Sequence, residues 1–489
     1  MTASSPLTRV GPRLSPDRGR VLPRLFVPGE ELPGHHSRAA TVLQRVLELG
    51  DAEVTTALTG LHARFGRRHR DLDGVFMRHF ERIAHRLAGE WPAQNRRLLI
   101  GACFTAEYVP EGAALTNPSM VEHPDQDGLA PGEVRFVMAV RSIGEGHLSC
   151  IEFRTGVIGA AGHVHVDAPG RYLDDGEPRW PGYYQASFRA LVVEHDVDDE
   201  TASFILDGLG DPFFKTQLDA AISGLDPTIL GREEAQKTIE RLERIALDNY
   251  EVTFPASGRL SDRVLYPSGP SESHGMEDAR FTRLVEDDGT VRYYATYTAY
   301  DGWNVAPQLL ETADFLTFRV AQLSGPAAKN TGLALFPRKV GQRYLALSRH
   351  DREHNSITTS DDLRCWKSSV TLDKPLHPWE LIEGGNCGPP IETEQGWLVL
   401  THGVGPMRTY GLGALLLDLD DPSKVLGDTE LPLLLADKEQ DEQDGYVPNV
   451  IYSCGGLRHG DTVVLPYGLG EHQISFATID LPRLYDQLR

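Results

Sequence analysis

The chain of 489 residues is long enough for two or three domains, or for one large repeat fold with additional segments. Its 48 basic and 70 acidic residues give a formal net charge of −22, which argues against nonspecific binding to nucleic acid or to an anionic membrane. Five cysteines without a Cys-x-x-Cys pair disfavour a disulfide framework or a thiolate zinc site, and no run of about 18 apolar residues predicts a membrane span. We therefore predict a soluble cytoplasmic protein that binds a neutral or polar small molecule, with no nucleic-acid or membrane partner.

The first 95 residues are predicted to form an extended arm followed by helices. Residues 1 to about 30 are rich in Pro, Arg and Gly and lack apolar periodicity. From about 37 to 90, apolar residues recur at helical spacing and predict three helices. Their apolar stripes suit either a cap over a pocket entrance or the interface of a homo-oligomer. Four histidines lie among the arginines here, and without a carboxylate pair at ligand spacing they are predicted to be surface residues rather than metal ligands: His62, His69, His79 and His85.

After Trp91 and Pro92 the pattern changes to strands, and one strand design recurs five times. Each copy is a short apolar and aromatic run that ends in polar groups: EVRFVMAVRSIGEGH from 133, VRYYATYTAYDG from 291, QRYLALSRHD from 342, GWLVLTHGV from 396 and DTVVLPYGLGEH from 461. The last four copies begin about 50 to 65 residues apart, which is the period of a propeller blade. The longer spacing before the second copy contains helical patterns at 215–225 and 231–250.

These patterns predict a mainly β fold with two regions. Residues 96–489 are predicted to form a five-bladed β-propeller, interrupted by a largely helical insertion at about 160–250. The arm and helical region at 1–95 precede it. Because the inner strands of a propeller converge on one axis, polar groups at equivalent ends of the repeats are expected to surround a single pocket.

The segment SHGMEDARF, at 273–281, is the strongest single candidate for chemistry. Successive side chains on an extended segment point to opposite faces, so one of Glu277 and Asp278 can pair with a partner such as Arg280 while the other faces a ligand. A solvated acidic turn with a local ion pair fits the same letters. The candidate site residues, in chain order, are Asn117, Ser119, Arg141, Asp278, Tyr300, Asp301, Arg349, Glu383, His402, Tyr446 and Glu471.

Taken with their order, these motifs resemble glycoside hydrolase family 130, the β-mannoside phosphorylases and mannosidases built on a five-bladed β-propeller. The resemblance covers roughly residues 100–489 apart from the insertion. It is carried by NPSMV, GMEDAR with YATYTAYDG, LFPRK with LSR, GPPIETEQGWLVLTHGV, LLDLDDPSKV and GYVPNVIYSCG.

The resemblance implies an inverting enzyme that cleaves β-mannosidic bonds of manno-oligosaccharides and needs no metal or organic cofactor. It implies that Asp278 is the general acid and passes its proton to the glycosidic oxygen through a mannose hydroxyl. The proline of the family's Glu-Asp-Pro-Arg motif is Ala279 in this chain, a change that loosens the backbone and leaves the acid in place. The remaining polar candidates are expected to bind substrate.

The position opposite the acid departs from the phosphorylases of the family, which hold phosphate with two arginines, a lysine and a histidine. Arg349 and His402 match that set, whereas Thr331 stands in place of the other arginine, two residues after Lys329, and Glu383 in place of the lysine. A carboxylate there repels a phosphate dianion and is suited to activate water. We therefore favour hydrolysis by a β-mannosidase with Glu383 or Glu471 as base, and keep phosphorolysis with inorganic phosphate as co-substrate as the alternative.

A propeller that binds carbohydrate without catalysis, or an interaction scaffold, is the competing hypothesis from another functional class. Asp278 discriminates between them, because a lectin needs hydrogen bonds to sugar hydroxyls but no acid at a glycosidic oxygen. Glu383, beside two glycines, also fits a plain exposed loop. Tyr300, Trp303 and Trp379 suit sugar stacking or an ordinary core position.

Overall fold

The computed structural model describes residues 5–29, 37–87, 91–195, 197, 199–372, 377–437 and 442–488. The chain divides into two compact units. The smaller comprises 17–112 and 170–174, and the larger comprises 1–16, 113–169 and 175–489. None of the helices in the described ranges has the length and apolar character needed to cross a membrane.

The smaller unit is a set of helices with one short strand pair. The three predicted helices are present at Arg38–Glu48, Asp51–Phe65 and Leu72–Ile83, the last followed by a 3-10 turn at Ala84–Arg86. A fourth helix, Gln94–Cys103, occupies the stretch where strands were predicted to begin, because Leu98, Leu99 and Ile100 join the shared apolar core. The strands Leu22–Leu25 and Thr105–Tyr108 pair antiparallel.

The larger unit is mainly β and contains five antiparallel groups of four strands, which we number in order along the chain. The first group is Ala114–Glu122, Val134–Ile143, Ser149–Ile158 and Val164–Val166. The second group is Gly275–Val285, Val291–Tyr300, Val305–Thr312 and Thr317–Gln322, and its sheet continues through Tyr250–Thr253 to Glu177–Arg179. The short strand Val264–Leu265 pairs with the third strand of the first group.

The other three groups follow the same plan. The third is Ala334–Leu335, Tyr344–Ser348, Ser356–Ser360 and Ser368–Thr371. The fourth is Glu383–Asn386, Gly396–Gly405, Thr409–Leu417 and Val425–Asp428, with Ile391–Thr393 and Leu434–Leu435 as additional short strands. The fifth is Ile451–Tyr452, Thr462–Leu469, Gln473–Asp480 and Leu7–Leu14, with Leu457–His459 beside it. A short helix, Leu481–Tyr485, follows the fifth group.

Two features of this plan bear on the sequence predictions. Each of the five recurring segments forms the second strand of one group, so the repeat in the sequence corresponds to a repeat in the structure. Part of the predicted arm, Leu7–Leu14, is the fourth strand of the last group, where it pairs antiparallel with Gln473–Asp480. Pairing in a sheet requires a partner that is distant in the chain, which local periodicity does not reveal.

Five apolar cores lie between consecutive groups. Separate clusters join the first group to the second, the second to the third, the third to the fourth and the fourth to the fifth. A further cluster joins the first group to the fifth through Phe136, Met138, Val464 and Phe476. The sequence of contacts therefore returns to its starting group.

The insertion carries its own core. Helices span Gln185–Glu194, Asp199–Asp207, Lys215–Ser223, Pro227–Leu230 and Glu233–Leu247, of which only the regions of the third and last were predicted. They bury Phe188, Leu218, Leu242 and Ile245 against one another. The last helix ends before Tyr250, the first residue of a strand that extends the sheet of the second group.

Candidate active site

The site is built around two bulged strands. The first strands of the first and second groups lose register between Thr116 and Ser119 and between Glu277 and Arg280. Within these bulges Asn117 has φ 46° and Asp278 has φ 55°, a left-handed conformation that asparagine and aspartate tolerate better than most residues. A bulge redirects a side chain, and here Asn117 Nδ2 donates to Asp278 Oδ1 at 2.5 Å. The predicted acid is thus held by a residue 161 positions away.

Arg141 interacts electrostatically with three carboxylates, those of Glu277, Asp278 and Glu471. Arg141 forms a close ion pair with Glu277, and its Nη1 lies 3.6 Å from Asp278 Oδ1. Burial raises the pKa of Glu277, with Arg141 opposing the shift and Asp278 and Glu471 adding to it. Burial likewise raises the pKa of Glu471, opposed by Arg141 and increased by Asp278. Burial and the crowding of like charges therefore make Glu277 and Glu471 weaker acids than free carboxyl groups.

Arg280 does not pair with either adjacent carboxylate, contrary to the option raised by the sequence. Its Nη1 donates to the backbone carbonyl of Asp278 at 3.1 Å, and its Nη2 donates to the Tyr452 hydroxyl at 2.8 Å. The ion-pair partner of Glu277 is instead Arg141, from the first group. Arg280 therefore fixes the backbone of the acid and leaves its carboxylate available.

Ser119 lies near the acid but makes a different kind of contact. It is fully buried, and its Oγ accepts a hydrogen bond from the Phe281 N–H at 2.9 Å. This contact joins the first strands of two neighbouring groups. Ser119 thereby stabilises the junction that positions Asn117 and Asp278.

A basic pair lies at the third and fourth groups. Arg349 follows the strand Tyr344–Ser348, and its Nη1 lies 3.0 Å from His402 Nε2. Burial lowers the pKa of His402 well below its usual range, and the guanidinium groups of Arg349 and Arg280 lower it further. The imidazole is therefore neutral and Nε2 can accept from Arg349. Glycine is required at 385, since a Cβ there would lie 2.5 Å from Arg349 Cδ and 2.6 Å from His402 Cε1.

Glu383 lies near Arg349 but does not form a hydrogen bond with it. Its Oε2 is 3.6 Å from Arg349 Nη2, longer than a hydrogen bond, and its side chain is 31% exposed. Arg349 itself is 8% exposed, and its buried Nε has no hydrogen-bond partner in the described part of the chain. The guanidinium thus retains a donor that an oxyanion could use.

Two tyrosines connect the basic pair to the acid cluster. The ring of Tyr452 meets the ring of His402 edge to face at a centroid distance of 4.9 Å, while its hydroxyl accepts from Arg280. Tyr410 lies parallel to His402 at 6.3 Å. Burial raises the pKa of Tyr410, and the charges of both Glu383 and Glu471 contribute to the shift. The acid cluster and the basic pair therefore belong to one site.

Two further predicted residues, Asp301 and Tyr300, stabilise a loop and not the acid cluster. Asp301 accepts from the backbone N–H groups of Trp303 at 2.9 Å and Asn304 at 2.7 Å, and Arg244 of the insertion lies 3.0 Å from it. Burial opposes ionisation, but these hydrogen bonds lower the pKa of Asp301 to about 2. Tyr300 donates to the Gly302 carbonyl, and in the described residues it makes no hydrogen bond to the acid cluster.

Tyr446 lies further out. It is half exposed, and its hydroxyl is 2.9 Å from Nδ1 of His147, in the turn that follows the strand carrying Arg141. Sequence reasoning did not select His147, Tyr410 or Tyr452, although the last lies inside the quoted motif GYVPNVIYSCG. The strand register places Tyr410 opposite Val404, two residues from His402, so period-two counting across the hairpin would have found it.

No group of three or more His, Cys, Asp or Glu residues in the described ranges is placed to hold a metal ion. The described side chains of the site are carboxyl groups, arginines, a histidine and tyrosines. A cluster of carboxyl groups lies near Arg349, whose buried Nε has no hydrogen-bond partner in the described residues. Such a site can protonate a leaving oxygen and hold an anion or a water molecule.

Comparison with known proteins identifies relatives of the larger unit. A family model described as beta-1,4-mannooligosaccharide phosphorylase matches residues 249–489. A 1,2-beta-oligomannan phosphorylase of Thermoanaerobacter sp. (strain X514) is 33% identical over 229 residues, covering 46% of this chain and 74% of that protein. A beta-1,2-mannobiose phosphorylase of Listeria innocua serovar 6a (strain ATCC BAA-680 / CLIP 11262) is 32% identical over 234 residues, covering 46% of this chain and 63% of that protein.

Solved structures show a weaker similarity. That of a beta-1,2-mannobiose phosphorylase from Listeria innocua, in complex with beta-1,2-mannobiose, covers 78% of this chain and 93% of its own chain at 22% identity, with a TM-score of 0.45.

Proposed function

The chain belongs to glycoside hydrolase family 130, and on that premise we propose that it cleaves β-mannosidic bonds of manno-oligosaccharides by phosphorolysis, with inorganic phosphate as co-substrate. The curated relatives described above are named as phosphorylases. Their names do not support hydrolysis, which the sequence argument favoured, and they fit the alternative of phosphorolysis better. The product expected from an inverting phosphorolysis is α-mannose 1-phosphate.

The observation that carries this proposal is the state of Arg349. The residue is 8% exposed, and its Nε has no partner in the described residues. Its Nη2 makes only long contacts, at 3.5 Å to the Arg352 carbonyl and at 3.6 Å to Glu383. Arginine suits phosphate because its planar N–H donors match two oxygens at once. Removing these donors from water without a full set of partners is costly, and a bound oxyanion would supply the missing partners.

The acid side supports the other half of the reaction. Asn117 and Arg141 both approach Oδ1 of Asp278, which leaves Oδ2 to carry the transferred proton. Glu277 and Glu471, whose pKa values are raised by burial, place further carboxyl groups beside the one that would carry this proton. In the proposed step this proton passes to the glycosidic oxygen, by way of a mannose hydroxyl as the family resemblance implies. A phosphate oxygen bonds to C1 from the opposite face as the C1–O bond breaks.

We also propose that the larger unit is a five-bladed β-propeller. Five four-stranded antiparallel groups, with apolar cores between successive groups and between the last and the first, support this arrangement. The contribution of Leu7–Leu14 to the last group joins the two ends of the chain, which is how a ring of blades is held closed. In this arrangement the first strands, which carry Asn117, Asp278 and Glu383, face the axis.

Hydrolysis is the second candidate, favoured by one specific observation. The Glu383 carboxylate already balances part of the Arg349 charge, and in the described residues Lys329 makes no contact with that pair. A carboxylate at this position can take a proton from water, which would then attack C1 in place of phosphate.

One assay separates these functions. The protein is incubated with β-1,2- or β-1,4-linked mannobiose, with and without inorganic phosphate, and mannose and mannose 1-phosphate are quantified. Phosphorolysis predicts cleavage only with phosphate, giving equal amounts of the two products. Phosphate-independent release of two mannoses per mannobiose would establish hydrolysis instead.

Matched variants test the role of Arg349 in the same assay. Arg349→Gln should abolish phosphate-dependent cleavage. Arg338→Gln removes a surface arginine that pairs with Glu392, and should leave the rate unchanged. Binding of mannobiose without turnover under every condition would favour the carbohydrate-binding hypothesis.

A further inference from the structure

We propose that a cavity between the third and fourth groups is a second binding site, for a neutral, hydroxyl-rich molecule of mono- or disaccharide size. The cavity has a volume of about 470 Å³, within the range of small-molecule sites. Its wall runs from Asn355 and Thr371 of the third group to Thr401 and Asp428 of the fourth, and it includes Trp379. The lining of the cavity alone points to this site, independently of the proposed reaction.

Trp379 packs against a part of the sheet where glycines leave space for its ring. Its indole lies on three glycines of the paired strands Gly396–Gly405 and Thr409–Leu417. A Cβ would lie 2.5 Å from the ring at 403, 3.3 Å at 411 and 2.8 Å at 413, so larger residues there would displace the indole. Trp379 is packed against this sheet and also lines the cavity, and the apolar faces of sugars pack well on aromatic rings.

The same ring carries an unused donor. Trp379 Nε1 is buried and has no hydrogen-bond partner in the described part of the chain. Buried indole N–H groups are normally paired, so one that lacks a partner beside a cavity is suited to a ligand oxygen. A sugar hydroxyl can accept this hydrogen bond and donate another to a nearby carboxylate or amide oxygen.

The charges of the lining decide the ligand class. Glu353, Glu380 and Asp428 contribute carboxylates, and His377, one of two histidines in the wall, lies 2.7 Å from Asp428. This excess of negative charge disfavours phosphate and other anions. The described carboxylates and histidine also do not converge as a metal site. Acceptors that are spread around a cavity beside an indole suit a neutral polyol.

The cavity shares a wall with the candidate active site. Gly384, Gly385 and His402 line it, and Arg349 packs across Gly385 against His402. An occupant would therefore contact the strand pair that positions Arg349 without reaching the acid cluster through any side chain that lines the cavity.

Fluorine NMR of the full-length protein labelled with 5-fluorotryptophan tests the proposal. The chain contains six tryptophans, and Trp379→Phe assigns the resonance of interest. Trp366, fully buried in the third group, serves as the internal reference for folding. Titration with D-mannose and with mannobiose should shift the Trp379 resonance saturably, whereas inorganic phosphate and spermidine should not.

Two variants locate the binding. Asp428→Asn keeps the shape of the wall but removes the negative charge beside His377, and should weaken the Trp379 response about tenfold, as expected for loss of one charged hydrogen-bond partner. Asn117→Ala weakens sugar binding at the acid cluster and should leave the response unchanged. The proposal is overturned if neither sugar produces saturation while the Trp366 signal stays native, if Asn117→Ala weakens the response, or if phosphate or spermidine saturates it.

Discussion

Glu383→Gln gives opposite results for the two candidate reactions, because the side chain keeps its shape and loses only its charge. If phosphate binds at Arg349, the Glu383 carboxylate competes with it for the guanidinium. Glutamine removes that competition and the repulsion of the incoming anion. If instead water is the nucleophile, the same substitution removes the base.

The magnitude follows from the 3.6 Å separation between Glu383 Oε2 and Arg349 Nη2. Opposite unit charges at that distance attract by about 4.6 kcal/mol at an effective dielectric constant near 20. The side chain of Glu383 is 31% exposed, and solvent screening reduces the attraction to about 2 kcal/mol. Because about 1.4 kcal/mol corresponds to a factor of ten, the affinity for phosphate should rise about thirtyfold.

The assay is the initial rate of mannobiose cleavage as a function of phosphate concentration. Phosphorolysis predicts a KM for phosphate about thirtyfold lower in Glu383→Gln, with kcat retained. Glu392→Gln is the control and should leave both constants unchanged. Glu392 lies in the same sheet as Glu383, and its surface carboxylate pairs with Arg338. A loss of turnover of about a hundredfold or more, independent of phosphate, would refute the reasoning and identify Glu383 as the base.

Three other variants test the acid and the stability of each unit. Asp278→Asn should lower kcat about a thousandfold while mannobiose still binds, as measured by turnover and calorimetry, since an amide can accept from Asn117 but cannot supply the proton. Burial raises the pKa of Asp248 from 3.8 to about 6, so the native state retains a proton that the unfolded chain releases, and stability falls as the pH rises through this window. Between about pH 4 and pH 7, chemical denaturation of Asp248→Asn should therefore show the free energy of unfolding shifting in favour of the variant by about 3 kcal/mol relative to the wild type; an unchanged difference would contradict the assignment. In the smaller unit, Glu111→Ala removes the carboxylate that pairs with the buried Arg20 guanidinium, and unfolding of the variant in urea should show a loss of about 3 to 5 kcal/mol, whereas a loss under 1 kcal/mol would contradict a large contribution of this pair to stability.

Much of the fold could be predicted because a strand or helix with one buried face has a regular spacing of apolar residues. Alternating apolar residues marked the second strand of each of the five groups, and helical spacing marked Leu72–Ile83 and Glu233–Leu247. The helix Gln94–Cys103 was missed because its apolar residues are consecutive and do not form a clear stripe. The pairing of Leu7–Leu14 was missed because its partner lies more than 460 residues away.

The candidate site was predicted in part for the same reason. Asp278 and His402 lie within strand motifs, and Arg349 directly follows one, so all three could be recognised locally. The pairing of Glu277 with Arg141, rather than with Arg280, depends on a bulge in one group and a strand of another. No spacing within either segment encodes that choice.

Sequence motifs were enough to identify the family and to locate the second strand of each group, and they predict Asp278 as the acid, because each motif consists of residues that are close together in the chain. Three other features became visible only in the folded protein. Glu277 pairs with Arg141, Glu383 lies 3.6 Å from Arg349, and Trp379 packs on three glycines beside a cavity. Those features arise where separate groups of strands pack together, and distances of a few ångströms between segments that are far apart in the chain are set by packing and not by local preference.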